Sequence, residues 1–336
     1  MPTVHDLTTP ALLVERVALE HNLDVMSAAL PGERLRPHVK AHKCSAIARL
    51  QRDRGHAGFT CATVREVEGL VAAGLDEDVM LANELVDVRQ TQRLGTLVEA
   101  GARITLAVDS NETIRAACEG GVREVVIDVN VGLPRCGCAP ERAGEFADRA
   151  RAAGLEVRGV MGYEGHAVGV EDRTKREELC NASMELLKGA HAAVGGSLVS
   201  AGGTGTFDCN EVATEIQAGS YVLMDTAYAK LGLPFEQALF GLASVVSVAE
   251  GGVFAVADCG LKSLGMDHGN PAIAGARVWF CSDEHTTFQP EAAVAPGDRM
   301  RVVPAHVDPT VAYHEALWVV EGDQVVDRFE VDLRGW

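Results

Sequence analysis

The first residues able to do chemistry lie in Arg34-Leu-Arg-Pro-His-Val-Lys40-Ala-His-Lys43, a short extended run that delivers Lys40 just before a helical segment starting near Cys44. A lysine amine kept uncharged part of the time condenses reversibly with an aldehyde such as that of pyridoxal phosphate, so Lys40 is a candidate Schiff-base residue. The plainer reading is a solvated lysine at a strand end. A second candidate is Ser200-Ala-Gly-Gly-Thr-Gly-Thr206. Its glycines, Gly205 among them, free backbone amides to converge on one anion, and Thr204 and Thr206 add hydroxyl donors. Gly219-Ser220 is a further glycine–hydroxyl pair, and each piece alone reads equally as a turn. The third candidate is His306 with Asp308, two residues apart on a strand-like run and so expected to project from one face. An imidazole and a carboxylate with open positions suit Mn²⁺, Mg²⁺ or Zn²⁺; a solvated polar pair ahead of Pro309 is the alternative.

Such groups need elements to hold them. Thr9–Glu15 is strand-like, and Leu19, Leu23, Met26 and Leu30 then fall on one helical stripe. Strands are expected at 34–39, 58–63, 78–82, 103–108, 124–130, 156–163, 198–202 and 221–225, with helical stretches between them. Several of these helices close on glycine, as at Gly74, Gly101 and Gly154. Eight β-then-α units predict an α/β fold built on a (β/α)₈ TIM-type barrel, and no GxGxxG follows the first strand to suggest a dinucleotide site. After about residue 240 the pattern changes to short strands at 245–248, 253–256, 276–280, 301–303, 316–320 and 325–331, separated by turn signals such as Pro-Gly-Asp298. The expected organisation is a barrel over residues 16–235. A β-rich C-terminal domain over 236–336 would also take in the N-terminal strand through residues 1–15.

Chemistry in a barrel belongs at the carboxyl ends of its strands. The residues expected there are Lys40, Thr63, Asn83, Asp109, Asn130 through Arg135, Tyr163 with Glu164 and His166, Gly202 through Thr206, and Asp225. Only six of the 336 residues are lysine, so one at the first strand end carries weight. A formal charge of −18 argues against nucleic acid and anionic membrane as partners. With no 18-residue apolar run and acid near the start, the chain is expected to be cytoplasmic. Nine cysteines include only a CxC at Cys136 and Cys138, a weak metal pattern, and buried thiols are expected.

The barrel segment resembles the alanine-racemase-like pyridoxal-phosphate enzymes in Val39-Lys-Ala41 and in Asp128-Val-Asn-Val-Gly-Leu-Pro-Arg-Cys-Gly137. Within that class, Gly162-Tyr-Glu-Gly-His166, Ser200–Thr206, Thr214–Tyr221, Asp258-Cys-Gly-Leu-Lys-Ser263 and Pro304-Ala-His-Val-Asp-Pro-Thr310 look like the D-threonine aldolase and D-serine dehydratase family. The resemblance implies a barrel with a β domain, a homodimer, Arg135 near the cofactor's phenolic oxygen, and Tyr228 reaching its phosphate, with Tyr163 facing the ring. Gln217 stands where racemases carry an arginine against the pyridine nitrogen. The resembling dehydratases pair the histidine with a cysteine; Asp308 is the pattern of the aldolase branch. The roles of Asp258, Lys262, Asp283 and His285 are left open.

Two reactions suit such a site, and they differ in the bond that breaks at Cα. β-Elimination needs an ion that helps hydroxide leave, whereas retro-aldol cleavage needs one that holds the β-hydroxyl while a base removes its proton. Similarity to the aldolases assigns that base to His166. The resemblance therefore implies cleavage of a small-molecule D-3-hydroxy amino acid, such as D-threonine or D-3-hydroxyaspartate, to glycine and an aldehyde. The required cofactors are pyridoxal 5'-phosphate and a divalent metal, Mn²⁺ first. A D-serine or 3-hydroxyaspartate dehydratase and a non-catalytic pyridoxal-phosphate carrier are the alternatives.

Overall fold

The computed structural model describes residues 2–336. Strand β1 (Ala11–Glu15) runs directly into helix α1 (Arg16–Ala29). The chain forms two compact units, one of Met1–Val25, Ala41–Ala46 and Ser220–Asp332, the other of Met26–Lys40, Ile47–Gly219 and Leu333–Trp336.

The second unit holds seven parallel strands in sequential order: β2 (Gly58–Cys61), β3 (Asp78–Leu81), β4 (Ile104–Val108), β5 (Glu124–Asp128), β6 (Glu156–Gly162), β7 (Leu198–Ala201) and β8 (Glu215–Ile216). Their near-continuous apolar runs, fully buried in β4, suit strands covered on both faces. Helices α2 (Ser45–Asp53), α3 (Val64–Ala72), α4 (Val88–Glu99), α5 (Asn111–Glu119), α6 (Ala143–Ala152) and α7 (Arg173–Val194) alternate with them. Caps set their starts. Thr63 accepts the Glu66 N–H ahead of α3, Ser110 and Thr113 box the start of α5, and Asp172 caps α7.

Two expected staves differ from the sequence reading. The run at 34–39 makes isolated bridges instead of a ladder strand, with Leu35 beside Ile216 and His38 beside Thr60. Pro37 has no N–H to donate, yet its carbonyl accepts from Thr60 at 2.9 Å while Arg36 donates to Ile216 at 2.9 Å. The run thus bonds to both edges of the seven-stranded sheet and closes it as the eighth stave. Residues 221–225 are not a strand. The Leu223 and Met224 amides turn back to the Ser220 carbonyl, at 3.2 and 2.8 Å, so no ladder can form there, and β8 is the last stave.

The amino-terminal end of the barrel is plugged by charge. Arg36 is buried, donates to Glu215 Oε1 at 2.7 Å and Asp78 Oδ2 at 2.7 Å, and Arg158 grips the other Asp78 oxygen at 2.7 Å. Gly58 leaves the guanidinium its room, since a Cβ there would lie 2.7 Å from Arg36 Nη1. The carboxyl ends are left for other residues.

In the first unit, nine strands order as β10-β13-β12-β11-β14-β9-β1-β15-β16: β9 (Leu239–Val248), β10 (Ala255–Ala257), β11 (Ala272–Ile273), β12 (Ala276–Cys281), β13 (Thr286–Pro290), β14 (Arg299–Val303), β15 (Ala316–Glu321) and β16 (Gln324–Glu330). β10 also pairs with β9, closing six of the strands around Ala243, Val245, Ala257, Phe288 and Val302. As the sequence predicted, the N-terminal strand joins this sheet: β1 lies antiparallel to β9 and parallel to β15. The unit also holds two short helices, α8 (Thr226–Ala229) and α9 (Val307–Ala312). β11 and β13 had no counterpart in the sequence reading. Among the described residues no helix is long and apolar enough to cross a membrane.

Candidate active site

Lys40 follows the closing stave in a 3₁₀ turn over Val39–Ala41, and its N–H donates to His38 Nδ1 at 3.4 Å. Tyr163, directly after β6, receives two cations: Lys40 Nζ lies 6.0 Å from its ring centroid and Arg135 Cζ 5.3 Å. Both distances fall within or near the range in which a cation is drawn to a π face. The β7 turn reaches the same ring, for a Cβ on Gly203 would stand 3.5 Å from Tyr163 Cε2. Lys40, Arg135, Tyr163 and the glycine turn therefore meet at the carboxyl end of the barrel.

Glu164 organises that turn from beneath. Its buried carboxylate accepts from Thr206 Oγ1 at 2.8 Å, Gly202 N at 3.1 Å and Asn210 Nδ2 at 3.2 Å. The Thr206 hydroxyl proton is thereby directed to Glu164, while Thr204 is buried within the turn. Gly205 fits only without a side chain, since a Cβ would lie 1.8 Å from the Val168 carbonyl oxygen. It is buried, and among the described residues nothing accepts its N–H. A buried amide left over in a glycine turn suits a phosphate oxygen. The chain then passes through Gln217, whose amide donates to Ser200 Oγ at 2.8 Å, to buried Gly219.

His166 stands on the β6 loop with Nδ1 buried and without a hydrogen-bond partner among the described residues. Around the β5 end, Asp128, Cys136 and Cys138 cluster with Glu84, a member that the sequence reading did not name. Burial, then the charge of Glu84, pushes the Asp128 carboxyl well above the usual range. Partial desolvation and Glu84 raise the thiol of exposed Cys136 to about 11, and burial with Asp128 raises Cys138 to about 12. Both thiols therefore stay protonated near neutrality. Thr63 caps a helix, Asn83 donates to the Ala62 carbonyl at 3.0 Å, and Asp109 accepts from Gly137 N at 3.2 Å.

Ser220, Tyr228, His306 and Asp308 belong to the other unit. His306 and Asp308 are not on a strand: His306 is the N-cap of α9 and Asp308 lies in its first turn. The helix starts here because Asp225 accepts the Val307 N–H at 2.9 Å, and Pro309 needs no acceptor in a first turn. The other Asp225 oxygen accepts from Ala227 and Tyr228 at 3.0 and 2.9 Å, so one buried carboxylate caps both short helices. Burial raises its pKa, against the pull of those N–H groups. His306 Nε2 lies 3.7 Å from Asp308 Oδ2, and its Nδ1 donates to Asp267 at 2.7 Å. His268 stacks on the same imidazole, centroids 4.0 Å apart. Asp267 and His268 were missed; an Asp-His pair before a glycine offers no periodic signal. Asp258 is structural, accepting from Thr9 Oγ1 at 2.5 Å and Ser244 N at 2.7 Å. Lys262 pairs with Glu284 at 2.7 Å on the surface, where Asp283 and His285 also lie exposed.

The donor sets fit the expected groups. An amine, an arginine and an unclaimed buried amide suit pyridoxal phosphate, and an imidazole beside a carboxylate suits a hard or borderline divalent ion.

A closed barrel with a terminal lysine, followed by a β unit bearing His-x-Asp, defines a class, and the chain belongs to the D-threonine aldolase and D-serine dehydratase family of alanine-racemase-like pyridoxal-phosphate enzymes, in its aldolase branch. The alanine racemase N-terminal domain matches residues 14–227, and a serine dehydratase domain matches residues 238–320. The chain is similar to a D-threonine aldolase of Arthrobacter sp, 34% identical over 98% of this chain and 93% of the relative. It is also similar to a 3-hydroxy-D-aspartate aldolase of Paracoccus denitrificans, 32% identical with the same coverage. The crystal structure of D-threonine aldolase from Filomicrobium marinum superposes with a TM-score of 0.92 at 33% identity, covering 98% of this chain and 97% of that one.

Proposed function

We propose that the protein cleaves D-3-hydroxy amino acids, such as D-threonine or D-3-hydroxyaspartate, to glycine and an aldehyde by a retro-aldol reaction. The observation that carries this reading is the carboxylate of Asp308 beside His306, 3.7 Å away, in a chain of the aldolase branch. When bound, pyridoxal phosphate supplies a sink for the electron pair released at Cα, and a divalent ion supplies Lewis acidity at the β-hydroxyl.

This chain's own residues do the rest. Lys40 provides the amine that anchors the cofactor, and Arg135 and Tyr163 flank its place. We assign Gly205 N–H, Thr204, Thr206 and Gly219 to the phosphate, with the Thr206 hydroxyl acting through Glu164 to hold the turn, and the resemblance to the family assigns Ser220 and Tyr228 to it as well. His166 takes the β-hydroxyl proton, a role that similarity to the aldolases supports. His306 and Asp308 hold the ion, which we take to be Mn²⁺. Nine free thiols suit a reducing cytoplasm. Exposed Trp279, Phe280 and Val253 on the β unit support a homodimer. A charge of −18 speaks against nucleic acid and anionic membrane.

Incubation with D-threonine and Mn²⁺ tests the reading. Glycine with acetaldehyde is expected, and Lys40→Ala should lose the yellow, borohydride-reducible cofactor. 2-Oxobutanoate with ammonia would instead identify a dehydratase, and no turnover of any D-amino acid a carrier.

A further inference from the structure

Beyond the ligand pair, the first unit carries a second acid aimed at the same imidazole. Both Asp267 oxygens lie against His306 Nδ1, at 2.7 and 2.9 Å, so that nitrogen carries the proton and donates it. Nε2 is then the lone-pair nitrogen, and it faces Asp308. An imidazole that can spin about its Cβ–Cγ bond loses entropy when it ligates an ion; one already gripped on its far nitrogen loses less.

The grip is built into the fold. Gly265 bridges His306, and its N–H donates to Thr310 Oγ1 at 2.8 Å while that hydroxyl donates to the His306 carbonyl at 2.7 Å. A Cβ on Gly265 would lie 2.3 Å from Pro309 Cγ, so the loop sits directly on the first turn of α9. His268 stacks on the ring at an interplanar angle of 13°, which limits its tilt as Asp267 limits its rotation.

We propose that Asp267 is a positioning residue for the divalent ion: it fixes the tautomer and orientation of His306 so that Nε2, with Asp308, is presented as the ligand nitrogen. This rests on the metal reading under Proposed function. The competing arrangement uses the same residues differently. Donor atoms of Asp267, His268 and His306 all lie within 4.8 Å of one another, so an ion could instead sit on the Nδ1 side with Asp267 as a direct ligand. That geometry would leave Asp308 idle, and it would forfeit the charge-assisted hydrogen bond already formed.

Mn²⁺ binding to the cofactor-loaded protein, followed by electron paramagnetic resonance of the free ion, separates these cases without recourse to activity. His306→Ala and Asp308→Ala are expected to abolish binding. Asp267→Ala should raise the Kd by about 10–100-fold. Asp267→Asn, whose amide oxygen still accepts the Nδ1 proton, should recover part of that loss. The metal-free melting temperature should be the wild-type value in both Asp267 variants, since Asp267 is exposed. An unchanged Kd in Asp267→Ala, with binding lost in His306→Ala and Asp308→Ala, overturns the positioning role alone. Binding abolished in Asp267→Ala but retained in Asp308→Ala places the ion on the Nδ1 side and also overturns it. Wild-type affinity in both His306→Ala and Asp308→Ala, or no binding by the wild type, removes the metal reading and this inference together.

Discussion

His166 keeps its place because residue 132 has no side chain. A Cβ on Gly132 would stand 2.8 Å from His166 Cε1 and 3.1 Å from Nε2, and Gly132 holds a φ of +128° that other residues rarely adopt. Gly132→Ala is therefore expected to displace the imidazole as well as strain the loop. A shift of about 1 Å in a catalytic group costs on the order of 10²-fold in rate. Steady-state kinetics with D-threonine should show kcat lowered by about that factor, while the cofactor's absorbance is retained; an unchanged kcat would take the proton-transfer role away from His166. The histidine itself was legible only through its motif. Its dependence on Gly132 was not, because the two meet through loops that follow different strands.

Among the elements, the two shortest helices depend on a single carboxylate. Neither α8 nor α9, at four and six residues, is long enough to be stable by its own hydrogen bonds. Asp225 accepts three of their orphan N–H groups, one of them between His306 and Asp308. Asp225→Ala is expected to cost about 1–2 kcal/mol for the lost caps. It should also weaken Mn²⁺ binding in the same protein, because the turn that spaces the two ligands comes loose. Urea denaturation and a metal titration on Asp225→Ala and Asp225→Asn check this, with the amide variant in between; a destabilised protein with unaltered Mn²⁺ affinity would separate the caps from the metal pair. The sequence reading placed Asp225 at a strand end and His306 and Asp308 on a strand. It had no means to see that one acid turns both stretches into helix starts.

For the barrel unit as a whole, the charged plug at its amino-terminal end sets the response to acid. Burial alone would raise the Asp78 carboxyl, but hydrogen bonds and charge from Arg158 and Arg36 outweigh it and hold the group well below its usual value. A carboxyl depressed in the folded state contributes stability above its unfolded pKa of about 3.9, and that contribution is lost as the pH falls below it. Stability should therefore fall steeply below about pH 4, and Asp78→Asn should flatten that acid limb. Arg36→Ala leaves Glu215 and Asp78 without their shared partner in a buried place, at a cost of about 3–5 kcal/mol at neutral pH. Urea midpoints of the wild type and both variants at pH 7 and pH 3.5 measure this; an acid limb as steep in Asp78→Asn as in the wild type would assign it to other carboxylates.

By itself the sequence determined what is local: the alternation of strand and helix, the glycine stops, the lysine after the first stave, and the imidazole–carboxylate spacing that marks the aldolase branch. Periodicity and turn chemistry act over a few residues, so a chain read in order reveals them. Tertiary structure alone decided which distant groups meet. Asp267 and His306 are 39 residues apart, Arg36 and Glu215 are 179 apart, and the run at 34–39 becomes a stave only because both sheet edges come round to it. Such pairings depend on how the sheets close, and closure is a property of the whole set of strands that no single stretch encodes.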